Sequence, residues 1–145
     1  VYRARQAGVN IFNLTEAEDV ILKDKSIEGV VVNNTAIRMG GLLVDPFCMT
    51  AKYVIDATGH HAEVVKMVKK KKAELISSDL TEGFMDVDRA EKEVVEKTSE
   101  IFPGLLVSGM SVCAVYGVPR MGPIFGGMLK SGKKAAEIIG SNFKK

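Results

Sequence analysis

The sequence has few of the residues that cross-link or metallate small proteins. Its 145 residues include two cysteines, Cys48 and Cys113, and two histidines, His60 and His61. Two cysteines so far apart in the chain argue against a disulfide framework and a zinc motif. We interpret both as small buried hydrophobic residues and expect a protein of the reducing cytoplasm.

Long apolar runs and a strong charge of one sign are also missing. No stretch is long enough to span a bilayer, and the first residues lack a signal-peptide pattern. The formal net charge is +2, so we expect neither nucleic acid nor a membrane as a partner. The basic run from Lys66 to Lys72 is typical of a solvated helix face. With 46% hydrophobic and 26% charged residues, the composition is that of a soluble globular domain.

A further absence concerns nucleotide binding. The fingerprint G-x-G-x-x-G, which opens a dinucleotide-binding βαβ unit, does not occur in residues 1–35. The chain also begins without methionine. We therefore expect residues 1–145 to be a single C-terminal portion of a dinucleotide-binding-type domain whose N-terminal half is absent.

Local patterns predict an α/β fold. The runs "VNIFNL", "DVILK" and "IEGVVVNN" predict a β-meander. The run "YVIDAT", apolar up to Gly59, predicts a strand buried on both faces, and the spacing after His61 predicts a helix extending toward Leu75. A second helix is predicted from the N-cap Asp86 to Ile101, followed by the strand "LLVSGM" and a C-terminal helix. Loops are predicted for much of residues 36–52 and 77–85.

The Gly-rich stretch "VPRMGPIFGG" before the last helix is the first candidate site. Gly122, Gly126 and Gly127 would let backbone approach closely, and free N–H groups at a helix start can face a phosphate. Arg120 could bind phosphate or carboxylate through two parallel hydrogen bonds. Tight packing of the glycines and a surface ion pair of Arg120 explain the composition equally well. Met121 is interpreted as core packing.

His60 and Asp45 are the second candidate. His60 follows the expected strand at its carboxyl end, where open α/β sheets place ligand-binding residues. Asp45 lies in the turn sequence "GLLVDP". A histidine and an aspartate with open positions beside them suit Fe(II) or Mn(II). Taken alone, the sequence favours the alternative of a capping aspartate and a hydrogen-bonded histidine.

Three stretches, "VDP", "VIDATGHHAEVV" and "VYGVPRMGPIFGGMLKSGKKAAEII", together resemble the C-terminal portion of the thiazole synthases of thiamine biosynthesis, in particular their archaeal branch. The resemblance covers essentially the whole chain. It implies a partial FAD/NAD(P)-binding Rossmann-type fold with a β-meander, lacking the N-terminal GxGxxG βαβ unit. It also implies a transferase that builds an adenylated thiazole from NAD, glycine and a sulfur source with the help of Fe(II). Family members form large homo-oligomers, octamers, in which the aspartate loop can reach a neighbouring subunit.

The resemblance also assigns residues to roles. The catalytic residues it implies are Asp45, His60 and Arg120, of which Asp45 and His60 bind the metal and Arg120 contacts the glycine-derived carboxylate. The positions it implies for binding the NAD-derived ligand are Arg120, Met121, Gly122, Gly126 and Gly127.

Two positions depart from the family pattern. Leu43 stands where family members carry cysteine or histidine, so it cannot donate sulfur and activity would depend on external sulfide. His61 stands where the family usually has aspartate. Two alternatives stay open, the first because archaeal relatives in the resembled family have also carried an isomerase label, the second because of these departures and the missing half. One is a ribose-1,5-bisphosphate isomerase-type enzyme, which would use the same phosphate loop without consuming NAD. The other is a degenerate, non-catalytic ligand-binding module.

Overall fold

The computed structural model describes residues 1–76 and 79–143, apart from the side chain of Leu75. In chain order the elements are α1 (Tyr2–Gln6), β1 (Thr15–Lys23), β2 (Ser26–Asn34), α2 (Thr35–Met39), β3 (Phe47–Thr50), β4 (Val54–Asp56), a 3₁₀ turn (Gly59–His61), α3 (Glu63–Lys71), a second 3₁₀ turn (Ala73–Leu75), α4 (Val87–Glu96), β5 (Ser99–Phe102), β6 (Leu105–Val107), α5 (Met110–Tyr116) and α6 (Gly126–Asn142). Part of the loop predicted for residues 77–85, namely residues 77 and 78, lies outside the described residues.

The first sheet is the expected β-meander, with antiparallel strands in the order β1-β2-β3. Gly29 in β2 is required by close approach, because a Cβ atom there would lie 2.2 Å from the carbonyl oxygen of Met49 in β3. The strand expected at residues 9–14 is wrong. That run is exposed and irregular, and its last residue, Leu14, has φ of 51°, which breaks an extended backbone. The third strand is β3 instead.

The second sheet has the order β4-β6-β5, with β4 and β6 parallel and β5 antiparallel to β6. The three residues of β6 are fully buried, as their apolar run predicts. The expectation that β4 is buried on both faces is wrong, because Ile55 in its centre is 41% exposed. Among the described residues β4 lies at the edge of its sheet.

The helices confirm most of the periodicity argument and correct its limits. Helix α3 buries Val64, Val65 and Val68, as their spacing predicts, but it ends at Lys71. Helix α4 begins at the predicted N-cap, where the Asp86 carboxylate accepts a hydrogen bond from Arg89 N at 3.2 Å. Its predicted extension to Ile101 is wrong, since α4 ends at Glu96 and the chain continues into β5.

The core lies between the second sheet and helices α3, α4 and α5. Its fully buried side chains include Val65, Val68, Val94, Leu105, Val107, Val112, Cys113 and Met121. Within residues 1–76 and 79–143, no helix has both the length and the apolar character that crossing a membrane requires.

Candidate functional site

A buried carboxylate organises the turn that follows β4. Asp56 is fully buried and accepts hydrogen bonds from Thr58 N at 3.0 Å, Thr58 Oγ1 at 2.7 Å and Val65 N at 2.9 Å. Ser111 Oγ lies 3.1 Å from the same carboxylate and accepts from Gly59 N at 3.1 Å. These bonds satisfy a buried charge and fix the backbone of the 3₁₀ turn that carries His60.

The His60 ring projects from this turn and meets the side chain of Glu82. The Glu82 Oε1 atom is hydrogen-bonded to His60 Nδ1. The side chain of His60 is 48% exposed, whereas that of Glu82 is 17% exposed. The structure therefore places His60 against an acidic residue from the loop before α4. This agrees with the alternative of a hydrogen-bonded histidine, which the sequence alone favoured over a metal ligand.

The same carboxylate faces the predicted arginine. Arg120 Nε lies 3.9 Å from Glu82 Oε2. This nitrogen is buried and has no hydrogen-bond partner, although the side chain as a whole is 43% exposed. A buried N–H group without a partner is uncommon and costs free energy. Arg120 therefore retains a free donor beside the carboxylate that also binds His60.

The backbone beside Glu82 is held in place by the chain that leads to Arg120. Gly83 N donates to Val118 O at 3.0 Å, Arg120 N donates to Phe84 O at 2.9 Å, and Asp86 N donates to Arg120 O at 3.1 Å. A Cβ atom on Gly83 would lie 3.0 Å from the backbone of Val118 and Pro119, so a larger residue would push the two segments apart. Glu82 thus extends from a fixed backbone.

The glycines of the Gly-rich loop have different surroundings. Gly122 has φ of 62°, a conformation that favours glycine. Gly126 is exposed at the start of α6, and α6 has no side-chain cap at this end. Gly127 is buried, and a Cβ atom there would lie 3.0 Å from Val94 Cγ1 in α4. The packing interpretation thus holds for Gly127, while Gly122 and Gly126 keep accessible backbone.

Met121 is fully buried in the core. Its interpretation as core packing is confirmed, and any contact of this residue with a ligand stays a prediction. The side chain belongs to the same core cluster as Met110 and Cys113.

Asp45 lies elsewhere on the chain. It is exposed on the segment between α2 and β3 and lines a hollow of about 350 Å³ together with Glu18, Asn33 and Arg38. Among residues 1–76 and 79–143, no hydrogen bond or ion pair joins Asp45 to His60. The structure therefore places His60 and Arg120 around one carboxylate and leaves Asp45 in a separate hollow.

The donor chemistry at His60 fits a first-row divalent ion. An imidazole nitrogen with carboxylate oxygens is a usual ligand set for Fe(II) and Mn(II), and His60 has its second ring nitrogen to offer. In the described part of the chain, however, no group of three or more His, Cys, Asp and Glu side chains is placed to hold a metal ion. A complete site would need Asp45 or other ligands brought to His60.

Both cysteines are free, but they differ in exposure. Cys48 is exposed on β3, so its interpretation as a buried residue is wrong. Cys113 is fully buried, and its thiol donates to Pro119 O at 3.2 Å. Burial, helped by the nearby Glu82 carboxylate, raises the pKa of Cys113 to about 11. Cys113 is therefore an inert core thiol.

Sequence reasoning missed two residues that build this site. Asp56 carries a recognisable signal, since a carboxylate inside an apolar strand must find several hydrogen-bond donors. Glu82 carries none, because it lies in an irregular loop and meets His60 only through the fold. The bridging carboxylate could therefore be identified only from the structure.

The chain was compared with known proteins. A family model described as "Thi4 family" matches residues 1–125. The chain is 53% identical over 134 residues to a thiamine thiazole synthase from Pyrococcus furiosus, covering 92% of the chain and 52% of that protein. It is 50% identical over 145 residues to the thiamine thiazole synthase of Thermotoga maritima, covering 99% of the chain and 56% of that protein. The chain spans about half the length of these curated relatives.

A solved structure agrees with these matches. The crystal structure of Thermovibrio ammonificans THI4 superposes with a TM-score of 0.89 at 41% sequence identity, covering 99% of this chain and 57% of that one. The match confirms the expected partial Rossmann-type α/β fold.

Proposed function

The chain belongs to the Thi4 family, and on that premise we propose that the complete protein containing it is a thiamine thiazole synthase. The observation that carries the proposal is the cluster at the carboxyl end of β4, where Glu82 bridges His60 and Arg120. Relatives named thiamine thiazole synthase are about half identical to this chain in sequence.

The substrates we propose are NAD, glycine and sulfide. Arg120 would bind the carboxylate of the glycine-derived part, because its buried Nε has no hydrogen-bond partner and a carboxylate would supply one. The accessible backbone at Gly122 and the uncapped start of α6 at Gly126 would face the diphosphate of the NAD-derived part. Leu43 offers no sulfur, so external sulfide is the proposed sulfur source.

We propose Asp45 and His60 as ligands of Fe(II). When bound, Fe(II) supplies a Lewis acid and a template for sulfide. His60 would contribute an imidazole nitrogen from a turn held by Asp56, and Asp45 would contribute a carboxylate. Because Asp45 and His60 lie apart within one chain, we propose that they meet between neighbouring copies in a homo-oligomer.

The exposed apolar segment around Asp45 supports that assembly. Leu42, Leu43 and Val44 are all more than half exposed, and contiguous apolar surface of this kind marks contact sites. We further propose that the protein acts in the cytoplasm, where its two free cysteines would remain reduced.

The activity is tested with the complete protein under anaerobic conditions. It is incubated with NAD, glycine, sulfide and Fe(II), and the products are analysed by mass spectrometry. Formation of an adenylated thiazole with loss of NAD is the expected result. If NAD stays intact while a ribose bisphosphate is isomerised, the isomerase alternative is correct. If nothing reacts and no ADP-ribosyl ligand binds, the chain is an inert module and the proposal fails.

An Arg120 variant tests the proposed carboxylate contact. Replacing Arg120 with glutamine should raise the KM for glycine strongly, because the bidentate charge-assisted contact is lost. Arg89→Gln is the matched control, since the 58% exposed Arg89 pairs with Glu93 within α4, away from Glu82. An unchanged KM for glycine in the Arg120 variant would remove this residue from the binding role.

A further inference from the structure

The position of Glu82 suggests a task beyond an ordinary ion pair. Its carboxylate is mostly shielded from solvent, at 17% exposure, while the His60 side chain it contacts is 48% exposed. An ion pair between two solvated side chains contributes little and is easily broken. Here one partner is shielded and extends from backbone pinned by hydrogen bonds to Val118 and Arg120. The His60 ring therefore meets a fixed acceptor.

The contact also selects one nitrogen of the ring. A neutral imidazole carries its proton on either Nδ1 or Nε2, and the hydrogen bond made by one nitrogen decides which. An ionised carboxylate can only accept, so the Glu82 contact requires the proton on Nδ1. In the neutral ring Nε2 is then unprotonated and carries the free lone pair.

We propose that Glu82 is a positioning residue that fixes His60 with its proton on Nδ1, so that Nε2 is the nitrogen offered to a divalent metal ion. A carboxylate that accepts from the second nitrogen of a metal-binding histidine fixes the ring orientation and raises its basicity. The metal part of this inference rests on the proposed function, whereas the proton position does not.

Glu82 also links the histidine to the arginine. Its second oxygen lies 3.9 Å from Arg120 Nε, so one carboxylate contacts both groups. The Asp56 network fixes the backbone of the turn on one side, and Glu82 fixes the ring on the other. The position of Nε2 therefore depends on both the Asp56 network and Glu82.

The proton position is measured by nitrogen-15 NMR of the imidazole rings in this 145-residue chain. Because the chain has two histidines, the exposed His61 is an internal reference in the same spectrum. At about pH 9, where histidine is ordinarily neutral, His60 should show the Nδ1–H tautomer. His61 should show a mixture of the Nδ1–H and Nε2–H tautomers. Equal tautomer populations in His60 and His61 would overturn the proposal.

Two variants establish that Glu82 is the cause. Glu82→Ala and Glu82→Leu both remove the acceptor, and the leucine keeps most of the side-chain volume. Both should make the His60 spectrum similar to that of His61. Glu137→Ala is the matched control, because Glu137 is 65% exposed on α6 and pairs with Lys133. A His60 spectrum that stays unchanged in both Glu82 variants would also overturn the proposal, and the leucine variant decides if the alanine variant fails to fold.

Metal affinity provides the second measurement. The complete protein is titrated with Co(II), and the dissociation constant is compared between variants. Glu82→Ala should weaken Co(II) binding about 10- to 100-fold, whereas Glu137→Ala should leave it unchanged. Equal affinity of the wild type and Glu82→Ala would refute the positioning role. If the NMR result holds but the wild type makes no thiazole, Glu82 positions His60 and the proposed function is wrong.

Discussion

Asp56 shows how one buried residue can hold a functional turn in place. Its carboxylate accepts from two backbone N–H groups and from the hydroxyls of Thr58 and Ser111. Replacing Asp56 with asparagine puts an N–H donor where an acceptor is needed, so we expect the free energy of unfolding to fall by about 2–3 kcal/mol. Urea denaturation measures this change. The exposed Asp45→Asn is the control and should unfold at nearly the wild-type midpoint, so an equally stable Asp56→Asn would contradict the network.

The two cysteines give a prediction about reactivity. Cys48 is exposed, whereas burial raises the pKa of Cys113 to about 11 from an ordinary 9.0. At about pH 8, a thiol reagent should modify Cys48 quickly and Cys113 only after unfolding in urea. Cys48→Ser should abolish the native reaction. Rapid labelling of that variant would show that Cys113 is accessible.

The thiol of Cys113 makes the free energy of unfolding decrease at high pH. The pKa of Cys113 is higher in the folded than in the unfolded protein, so the folded state holds the proton more tightly. This stabilisation is fully present below about pH 9 and is lost as pH rises toward about 11. The Cys113→Ala variant should lack this part of the pH dependence.

At the residue scale, the sequence identified two of the three side chains that meet at the candidate site. His60 and Arg120 were identified from their motifs, and the structure places both around one carboxylate. Glu82 could not be found from the sequence. It lies 22 positions from His60 and 38 positions from Arg120, and contacts over such separations depend on the tertiary fold. Asp45 was identified as a type of ligand, but its place relative to His60 depends on how the exposed segment is positioned.

At the scale of elements, Lys134 joins α6 to the end of α4. Its Nζ donates to Val95 O at 2.9 Å and to Glu96 O at 2.6 Å, two carbonyls in the last turn of α4. Lys134→Met should lower the free energy of unfolding by about 1 kcal/mol, because a cation at a helix C-terminus also favours the helix dipole. Thermal unfolding measures the loss.

The neighbouring lysine is the matched control for this contact. Lys133 is 78% exposed and pairs with Glu137 on its own helix, so Lys133→Met should change stability little. If both methionine variants unfold at the same temperature, the contact between Lys134 and α4 contributes nothing measurable.

The contact between α4 and α6 depends on Gly127. An added Cβ would lie 3.0 Å from Val94 Cγ1 and 3.2 Å from Glu91 O, so Gly127→Ala should destabilise the protein by about 1–3 kcal/mol through overpacking. Gly140 lies in the same helix with nothing within 4 Å of its Cβ position. Gly140→Ala should therefore stabilise by up to about 1 kcal/mol through helix propensity. In calorimetry the melting temperature should fall for Gly127→Ala and rise for Gly140→Ala. A higher melting temperature of Gly127→Ala would contradict this packing.

Sequence reasoning missed α5 and β5 for different reasons. Six of the seven residues of α5 are buried, so its sequence has no polar face and periodicity could not reveal a helix. Thr98 and Ile101 continue the spacing of α4, but they belong to the chain that enters β5. Helices α3 and α4 were predicted because burial and spacing agree there. Helix α6 was predicted as well, although Leu129, one of its apolar residues, is 74% exposed.

At the scale of the whole molecule, the candidate metal site is divided. His60 lies beside the second sheet, while Asp45 lies on the exposed segment before β3, among apolar residues such as Leu43. If Asp45 and His60 bind one metal ion, as proposed, the site is completed only by moving that segment or by pairing with another copy. The exposed apolar surface favours pairing, because it would become buried in the contact.

Mixing experiments distinguish these two arrangements. Asp45→Ala and His60→Ala variants of the complete protein should each lose tight Co(II) binding, because each removes one ligand. If the ligands come from different copies, subunits mixed at random by dissociation and reassembly should recover about a quarter of the sites, since one intact half from each variant then meets. Recovery is measured as Co(II) bound per chain, with separately reassembled variants as the control. A mixture that binds no more Co(II) than its components would place Asp45 and His60 in the same copy and require the segment before β3 to move.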